Sequence, residues 1–295
     1  MNIRHLLHEA TVALRDATPT PRLDAELLLA HVLGWSRARL LAEYHLVPTA
    51  DLQQRFRALL ERRSQQEPVA YLVGSREFYG LELLVDERVL IPRPETELLV
   101  ELALAHIATR RAGPLSIVDV GTGTGAIALA LAQHIPPDDT TRIYAVDIAA
   151  DALAVAAVNV ARHDQHQRIA LLHGDLLAPL PPALRGQIDL LVSNPPYTIL
   201  SEVEDNVRRY EPHLALDGGL EGLAVYQRLI TQAQAWLHPQ GAVLLEIGAW
   251  QGQAVRELVQ AAFPATAVTI HPDLAGHDRV VTAIPRQAGV SSTIL

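Results

Sequence analysis

Residues 115–132 read LSIVDVGTGTGAIALALA, and this stretch decides the fold. Its apolar opening, Leu115 to Val120, predicts a buried β-strand, and the run from Ala126 onward has the composition of a helix. Between them stand three glycines at alternate positions, which predict a tight turn. A glycine-rich turn from a strand into a helix is the place where doubly wound sheets bind nucleotide-like ligands. The stretch therefore predicts the ligand-binding crossover of an α/β domain.

The same rhythm of strand, turn and helix continues along the chain. Strands are predicted at Leu115–Val120, Arg142–Asp147, Ile169–Asp175, Ile188–Ser193, Ala242–Ile247, Ala267–His271 and Arg279–Ile284, and helices at Ala126–His134, Asp151–His163, Leu223–Leu237 and Gln253–Ala262. Alternating strands and helices indicate a parallel sheet covered on both faces. The link 272–278 is too short for a crossover helix, so the last two strands should pair antiparallel. We therefore expect a seven-stranded, Rossmann-like α/β domain over 93–286, with an antiparallel terminal strand.

The chain before this domain has a different texture. From Ile3 to about Arg63 the apolar residues recur at helical spacing, which predicts a small all-α domain over 1–66. Between 67 and 92 aromatic and β-branched residues alternate with glycine, and we predict a β-hairpin linker there. The tail, 287–295, is expected to fray.

Composition excludes several classes of protein. The 295 residues include no cysteine and no lysine, which rules out a cysteine nucleophile, a thiolate zinc site, a Schiff-base lysine and a lysine-containing P-loop. The thirteen histidines lack the paired spacing of a metal site, so no metal is expected. Since no apolar run approaches the roughly 20 residues that span a bilayer, we expect a cytoplasmic protein with no membrane contact. The net charge of -9 argues against duplex nucleic acid as the main partner.

The glycine turn favours S-adenosylmethionine (SAM) over a dinucleotide. Its spacing is Gly-x-Gly-x-Gly, whereas dinucleotide enzymes prefer Gly-x-Gly-x-x-Gly, and Asp119 before the turn suits an ammonium group better than a phosphate. Asp147 closes the next strand, where a carboxylate accepts from ribose hydroxyls. Asp175 follows the strand after that and is predicted to accept from the adenine amine, with Leu176 packing on the ring. The cofactor residues predicted from these motifs are Asp119, Gly121, Thr122, Gly123, Thr124, Gly125, Asp147, Asp175 and Leu176.

Each of these signals alone has a plainer explanation. A glycine-rich turn is often only a tight turn, and an aspartate at a strand end is often a solvated cap. Their conjunction carries the prediction, because acidic residues that follow successive parallel strands project toward one edge of the sheet.

A second motif, Ser193-Asn-Pro-Pro-Tyr197, follows the fourth predicted strand at the same edge. An amide nitrogen is a poor nucleophile, and two hydrogen-bond acceptors aimed at its NH2 group can orient it for attack. The Asn194 side-chain oxygen and the Pro195 carbonyl fit that task, and Pro196 helps fix the backbone. Tyr197 can place its ring against the acceptor or the sulfonium. The plainer alternative is a strand-ending turn, since Asn-Pro is a common breaker.

With these motifs the chain resembles the release factor glutamine methyltransferases, the PrmC/HemK family, over nearly its whole length. The resemblance rests on Glu67–Gly74, Arg76–Gly80, Val89–Glu97, the glycine turn, Asn194–Tyr197, Glu211–Gly219, Leu245–Gly248 and Asp273–Arg279. The Asn-Pro-Pro-Tyr motif is shared with amino methyltransferases of DNA, whereas Val89–Glu97 together with Glu211–Gly219 is more specific.

The resemblance implies a helical domain that helps bind a class I peptide chain release factor. It also implies a domain that methylates the glutamine of the factor's Gly-Gly-Gln loop and leaves S-adenosylhomocysteine. By motif, Gly121–Gly125, Asp147 and Asn194 would contact SAM, and Asn194–Tyr197 would hold the glutamine. The chain departs from the family where Leu176 replaces a commonly aromatic residue and Thr198 a commonly aliphatic one. Two interpretations stay open for Arg93, Glu95, Thr96 and Glu97, which either line the cleft or form a helix N-terminus.

Two other functions remain to be weighed against this one. An N6-adenine methyltransferase acting on DNA or RNA would use the same motif, but aromatic residues make up only 4% of the chain and no target-recognition domain fits its length. A non-enzymatic SAM-binding protein would keep the fold without turnover, and the intact Asn194–Tyr197 motif disfavours it.

Overall fold

The computed structural model describes residues 1–110, 113–136 and 140–286; the tail expected at 287–295 lies outside them. Within these residues the helices are α1 Ile3–Ala13, α2 Pro21–Leu33, α3 Arg37–Ala42, α4 Ala50–Ser64, α5 Val69–Val73, α6 Glu97–Ala108, α7 Ala126–His134, α8 Ala150–Arg162, α9 Asp205–Tyr210, α10 Ala224–Ala233 and α11 Gly252–Ala262. The strands are β1 Ser75–Phe78, β2 Leu81–Leu84, β3 Ser116–Val120, β4 Arg142–Asp147, β5 Ile169–His173, β6 Ile188–Ser193, β7 Leu237–Glu246, β8 Thr266–Pro272 and β9 Asp278–Pro285. No described helix is long and apolar enough to cross a membrane.

A seven-stranded sheet forms the larger part of the fold, in the order β5-β4-β3-β6-β7-β9-β8. Strands β3 to β7 pair in parallel, and β9 lies antiparallel to both β7 and β8. The predicted α/β sheet with an antiparallel terminal strand is confirmed. The chain winds outward from β3 in both directions, so a crevice opens at the carboxyl ends of β3 and β6.

Alternate residues of β3 supply the two layers of core on either side of this sheet. Ile117 lies in one apolar cluster with α7 residues such as Leu129, and Val118 lies in another with α10 residues such as Leu229. All four side chains are fully buried. Because both faces are covered by helices, the strand is continuously apolar, as its sequence indicated.

The chain divides into two compact units. One comprises Met1–Arg76 together with Val85–Glu87 and Glu204–Tyr210, and the other comprises the remaining segments. The first unit has its own core of leucines around Phe56, and two acids of α2 are buried there. Asp24 accepts from Arg63 at 2.7 Å, and Glu26 from Arg37 at 2.7 Å, so each buried carboxylate is paired.

Two local predictions were wrong. Residues Val69–Val73, whose β-branched character contributed to the predicted hairpin, form α5, and the hairpin itself is limited to β1 and β2. Pro68 precedes this short helix and Gly74 ends it with a φ of 75°, so the terminal residues outweigh the weak strand preference between them. The helix predicted at Leu223–Leu237 ends at Ala233, and the chain enters β7 at Leu237. Pro239 restricts His238 before it to an extended conformation, which suits a strand and not a continued helix.

Candidate active site

A cavity of about 290 Å³ opens in the crevice at the carboxyl ends of β3, β4 and β6. Its size lies at the lower end of ligand pockets, which measure roughly 300–1,000 Å³. Of the predicted site residues, Gly121, Gly123, Asp147, Asp175, Leu176, Asn194, Pro195 and Pro196 line the cavity, whereas Asp119, Thr122, Thr124, Gly125 and Tyr197 stand outside its wall.

The glycine turn, Gly121–Gly125, forms the floor between β3 and α7. The backbone N–H groups of Gly121 and Thr122 both donate to the Val146 carbonyl, at 2.8 and 3.0 Å, which holds the turn against β4. Gly123 has a φ of 54°, and a Cβ there would meet no atom within 4 Å, so it would project into open space. The turn thus needs glycine for its backbone conformation and offers bare backbone to a ligand.

Asp119 occupies a different position from the one expected for an ammonium ligand. Its carboxylate is fully buried beneath the turn, where it accepts from the Thr122 hydroxyl at 2.6 Å and from the Ala128 backbone N–H at 3.3 Å. Burial raises the pKa of Asp119 to about 7. The two hydrogen bonds lower this pKa, and the nearby Asp147 carboxylate raises it. Asp119 therefore supports the turn through its Oδ2, while its Oδ1 is buried with no hydrogen-bond partner among the described residues.

Asp147 lies at the end of β4, on the wall of the cavity. Its Oδ2 accepts from the Gly123 backbone N–H at 2.8 Å, and its Oδ1 accepts from the Ala149 N–H at 2.9 Å. Burial raises the pKa of Asp147 while the backbone hydrogen bonds lower it. Each oxygen keeps a further lone pair, so the carboxylate is oriented and able to accept from a diol.

Two apolar side chains bound the cavity beyond Asp147. Leu176 is buried with a φ of 51°, and Ile148, which sequence reasoning did not single out, is 49% exposed beside the cavity. Each offers apolar surface on which a flat aromatic ring can pack. The predicted partner of the adenine amine, Asp175, is half-exposed and forms an ion pair with Arg228 through its Oδ2.

The acceptor motif, Asn194–Tyr197, begins where β6 ends. Ser193 pairs with Val120 across the sheet, and its hydroxyl donates to the Val120 carbonyl at 2.6 Å. This contact sets the motif beside the glycine turn, and a Cβ on Gly121 would lie 3.8 Å from the Asn194 carbonyl oxygen. The Asn194 side chain donates through its Nδ2 to the Thr96 hydroxyl at 3.2 Å. With Nδ2 engaged behind the wall, Oδ1 is the atom that remains for the cavity.

Tyr197 points away from the cavity into the protein. Its hydroxyl donates to Oε1 of Glu246 at 3.3 Å, and its backbone carbonyl accepts from the Gln251 side chain at 3.2 Å. Burial raises the pKa of Tyr197, and the neighbouring Glu246 carboxylate raises it further. The phenol is therefore a neutral donor that anchors the end of the motif.

Both interpretations of Arg93, Glu95, Thr96 and Glu97 hold, since the segment begins a helix and also contacts the site. Pro94–Thr96 is a 3-10 turn that leads into α6, which fits a helix N-terminus. In the same segment Thr96 contacts Asn194, and the Glu97 carboxylate accepts from the Tyr79 backbone N–H at 3.1 Å. Arg93, Thr96 and Glu97 thus each have a specific polar partner, on Glu211, Asn194 and Tyr79 respectively.

Sequence reasoning missed the role of Glu211, which joins two of the quoted motifs. Its carboxylate accepts from Arg93 at 2.5 Å and from the Ile91 backbone N–H at 3.2 Å, and the side chain is only 2% exposed. This ties Val89–Glu97 to Glu211–Gly219, and both segments supply cavity lining. The further lining residues that were not among the predicted site residues are Arg88, Val89, Leu90, Val120, Val146, Ile148, Ala149, Ala152, Gly174, Ser193, Pro212, Leu214, Ala215, Asp217, Val225 and Arg228.

Known proteins resemble this chain along most of its length. A family model for the PrmC N-terminal domain matches residues 5–74, and one for the methyltransferase small domain matches residues 96–210. The release factor glutamine methyltransferase of Moorella thermoacetica is 42% identical over 294 residues, which cover 97% of this chain and 100% of that protein. The protein of the same description from Salmonella typhimurium is 42% identical over 284 residues, covering 95% of this chain and 98% of that one.

Among solved structures, one of a 16S rRNA N2 G1207 methyltransferase from T. thermophilus, in complex with AdoMet and guanosine, has a TM-score of 0.51. The two chains are 20% identical, and the match covers 72% of this chain and 50% of the T. thermophilus chain. At this identity the likeness concerns the fold alone.

Proposed function

This chain belongs to the release factor glutamine methyltransferase family, and we propose that it transfers a methyl group from SAM to the side-chain amide nitrogen of the glutamine in the Gly-Gly-Gln motif of a class I peptide chain release factor. Family membership rests on 42% identity over nearly the full length of two relatives. The cavity and the acceptor motif provide the independent chemical support.

The chemistry of the cavity wall suits SAM. Asp147 lines the cavity, and each of its carboxylate oxygens keeps a lone pair beyond its backbone hydrogen bond, so a ribose diol can donate to both. Ile148 and Leu176 offer apolar walls for adenine, and Gly123 leaves the floor free of side chain. S-adenosylmethionine, when bound, supplies an electrophilic methyl group on a positively charged sulfur.

The orientation of Asn194 is the single observation that carries the choice of an amide acceptor. Its Nδ2 is engaged by Thr96, so its Oδ1 is available to accept from an NH2 group in the cavity. The Pro195 carbonyl is the second acceptor of the proposed pair. Two acceptors on one NH2 group draw electron density toward nitrogen and fix the direction of its lone pair, which is what an unreactive amide needs.

The remaining residues of the motif hold these acceptors in place. Pro195 and Pro196 restrict the backbone, and Tyr197 fastens the end of the motif through its hydroxyl and its carbonyl. No strong base is required at nitrogen, because an amide that has gained a methyl group is acidic and gives up its proton to water or to a neighbouring acceptor. We further propose that the helical domain, 1–66, helps bind the release factor, and that the methyltransferase domain, 93–286, performs the reaction, with 67–92 as a linker.

The test is to incubate the protein with isotopically labelled SAM and a class I release factor, and to locate the label by peptide mass spectrometry. The proposal requires label on the glutamine of Gly-Gly-Gln. A release factor with that glutamine changed to alanine is the matched substrate control and should take up no label. Asn194→Ala should bind SAM and lose turnover by about 100-fold or more, since it removes a preorganised acceptor. Label on duplex DNA in a parallel incubation, or on neither substrate, would overturn the assignment.

A further inference from the structure

Exposed apolar side chains are concentrated at one edge of the second unit. In its described part, all but one of the exposed large apolar side chains lie in connections that leave the carboxyl end of a strand. They are Ile148, Leu214, Leu220, Trp250 and Leu274, and the exception is Val158 on α8. The turn that carries Leu274 lies at this edge too, because β9 is antiparallel to both β7 and β8. Single exposed apolar residues are normal on a protein, but their concentration at one edge indicates a binding surface.

Three of these side chains are not explained by the cavity. Ile148 and Leu214 line it, whereas Leu220, Trp250 and Leu274 lie outside its wall. The three are 95%, 62% and 110% exposed, and we call them the apolar rim. Because water disfavours exposed apolar surface and cofactor binding makes no use of these residues, their exposure calls for a second ligand.

Two of the rim residues stand on segments that are tied to the acceptor motif. Gln251, which follows Trp250, is 2% exposed. Its side-chain NH2 group donates to the Tyr197 carbonyl at 3.2 Å and to the Gly222 carbonyl at 3.0 Å. Since Gly222 lies two residues after Leu220, one buried amide connects both segments to the end of the acceptor motif.

The third rim residue stands on a braced hairpin between β8 and β9. The Asp273 carboxylate accepts from the backbone N–H groups two and four residues on, both at 3.0 Å, and from the Arg279 side chain at 3.1 Å. Arg279 also donates to the Ile247 carbonyl at 3.4 Å, directly after β7. The motif Asp273–Arg279, which has no part in the cavity, thus holds Leu274 in a fixed place with its side chain in solvent.

The order of the strands indicates what covers the rim. Across the sheet, β5-β4-β3-β6-β7-β9-β8, the cofactor residues Asp147 and Leu176 follow β4 and β5, and the acceptor motif follows β6. Trp250 and Leu274 follow β7 and β8, on the other side of that motif. An acceptor nitrogen must approach the methyl group from the side away from the sulfur. The polypeptide that brings a glutamine to β6 therefore comes from the rim side and lies across the rim.

We propose that the apolar rim, Leu220, Trp250 and Leu274, is a docking surface for the release factor and binds apolar side chains of the polypeptide next to its Gly-Gly-Gln loop. This inference rests on the proposed function and deepens it. The two glycines of the loop present no side chain for recognition, so the loop has to be held by contacts beside it. Tryptophan is among the residue types that contribute most to such interfaces. The rim supplies binding energy for the protein substrate and takes no part in the transfer itself.

The decisive experiment measures kcat and KM with an intact class I release factor as the methyl acceptor. Leu220→Ser and Leu274→Ser each remove an apolar side chain that is almost fully exposed, so the fold does not depend on it. We expect each variant to raise the KM for the release factor about 3- to 10-fold, and the double variant to raise it more than about 10-fold. The kcat and the Kd for SAM should stay within about twofold, because the lost contact is the same before and during transfer.

Val158→Ser is the matched control, since it removes an exposed apolar side chain from α8 of the same unit. Its KM should stay within about twofold of the parent value. Trp250→Ala is a second test of the rim and should also raise the KM, with circular dichroism to verify its fold.

An unchanged KM in the double variant would overturn the inference, and so would an equal rise in Val158→Ser. Light scattering on the parent and the double variant tests whether a second copy of the chain covers the rim. A dimer that dissociates in the double variant, with the KM unchanged, would assign the surface to self-association. The parent protein in the same assay tests the proposed function separately. An inactive parent defeats both, whereas an active parent with an unchanged KM in the double variant defeats only the inference.

Discussion

Replacement of Asp147 by asparagine should weaken SAM binding by about 10- to 100-fold and leave the fold intact. The two oxygens of Asp147 accept from the backbone N–H groups of Gly123 and Ala149, at 2.8 and 2.9 Å. An asparagine has one oxygen and one NH2 group, so in either orientation its NH2 faces one of those N–H groups. One backbone hydrogen bond is lost, and the diol of a bound ribose meets a donor where it had an acceptor.

The expected size follows from the energy of the lost contacts. A hydrogen bond to a charged group contributes about 1.5–3 kcal/mol, which corresponds to about 10- to 100-fold in Kd. The folded protein should tolerate the change better than the complex does. Burial raises the pKa of Asp147, which means that the site already disfavours the charge, and a neutral amide is easier to bury there.

Isothermal titration with SAM or S-adenosylhomocysteine measures the effect directly. Asp151→Asn is the matched control, because it is the same chemical change at an exposed position in the first turn of α8 that does not line the cavity. The Kd for SAM should change by under about threefold in this variant. An unchanged Kd in Asp147→Asn, or equal losses in the two variants, would refute the assignment of Asp147 as the principal acceptor for the ribose.

Three further outcomes are expected. Gly123→Ala should lower the folding stability by about 1–2 kcal/mol because of its φ of 54°, which denaturation measures. The same variant should lose most of its SAM binding, which titration measures, because the added methyl group projects into the cavity. Arg93→Met leaves the Glu211 carboxylate buried without its ion-pair partner and should destabilise the protein by about 2–4 kcal/mol in urea. Arg57→Met, at an exposed position of α4, is the control and should change the stability by under about 0.5 kcal/mol. Burial raises the pKa of Glu246 from 4.5 to about 7, so between these pH values the folded state binds more protons than the unfolded state. The free energy of unfolding therefore falls as the pH rises through this range. Denaturation at pH 4 and at pH 8 should show that Glu246→Gln removes about 3 kcal/mol of this fall.

Local patterns sufficed to predict the sheet and its ligand-binding edge. Strand β3 ends where its apolar run meets the glycine turn, and α7 begins directly after that turn. Strand β4 ends at the acidic residue that closes its apolar run, Asp147. Because parallel strands end at the same edge of a sheet, the position of the ligand site at their carboxyl ends can be predicted. The same rule predicts that the glycine turn lies near Asn194. Both predictions depend on short stretches of chain and on rules that hold for any doubly wound sheet.

Depth of burial and distant partners could not be predicted in this way. Asp119 precedes the turn and looks in sequence like a ligand, but the pleat of β3 directs its carboxylate beneath the turn to Thr122 and Ala128. Thr96 meets Asn194 across 98 positions of sequence, and Tyr197 meets Glu246 across 49. A pairing of this kind carries no spacing signal, because it depends on which helix start and which strand end the fold brings together.

The alignment that methyl transfer needs is set by the sheet itself. A transfer between two bound groups is sensitive to displacements of about 1 Å, so the cofactor turn and the acceptor motif must keep a fixed separation. Both begin at the same level of neighbouring strands, since Val120 pairs with Ser193 and accepts its hydroxyl at 2.6 Å. Gly121 and Asn194 each follow directly, so their separation is determined by strand pairing and not by the length of a loop.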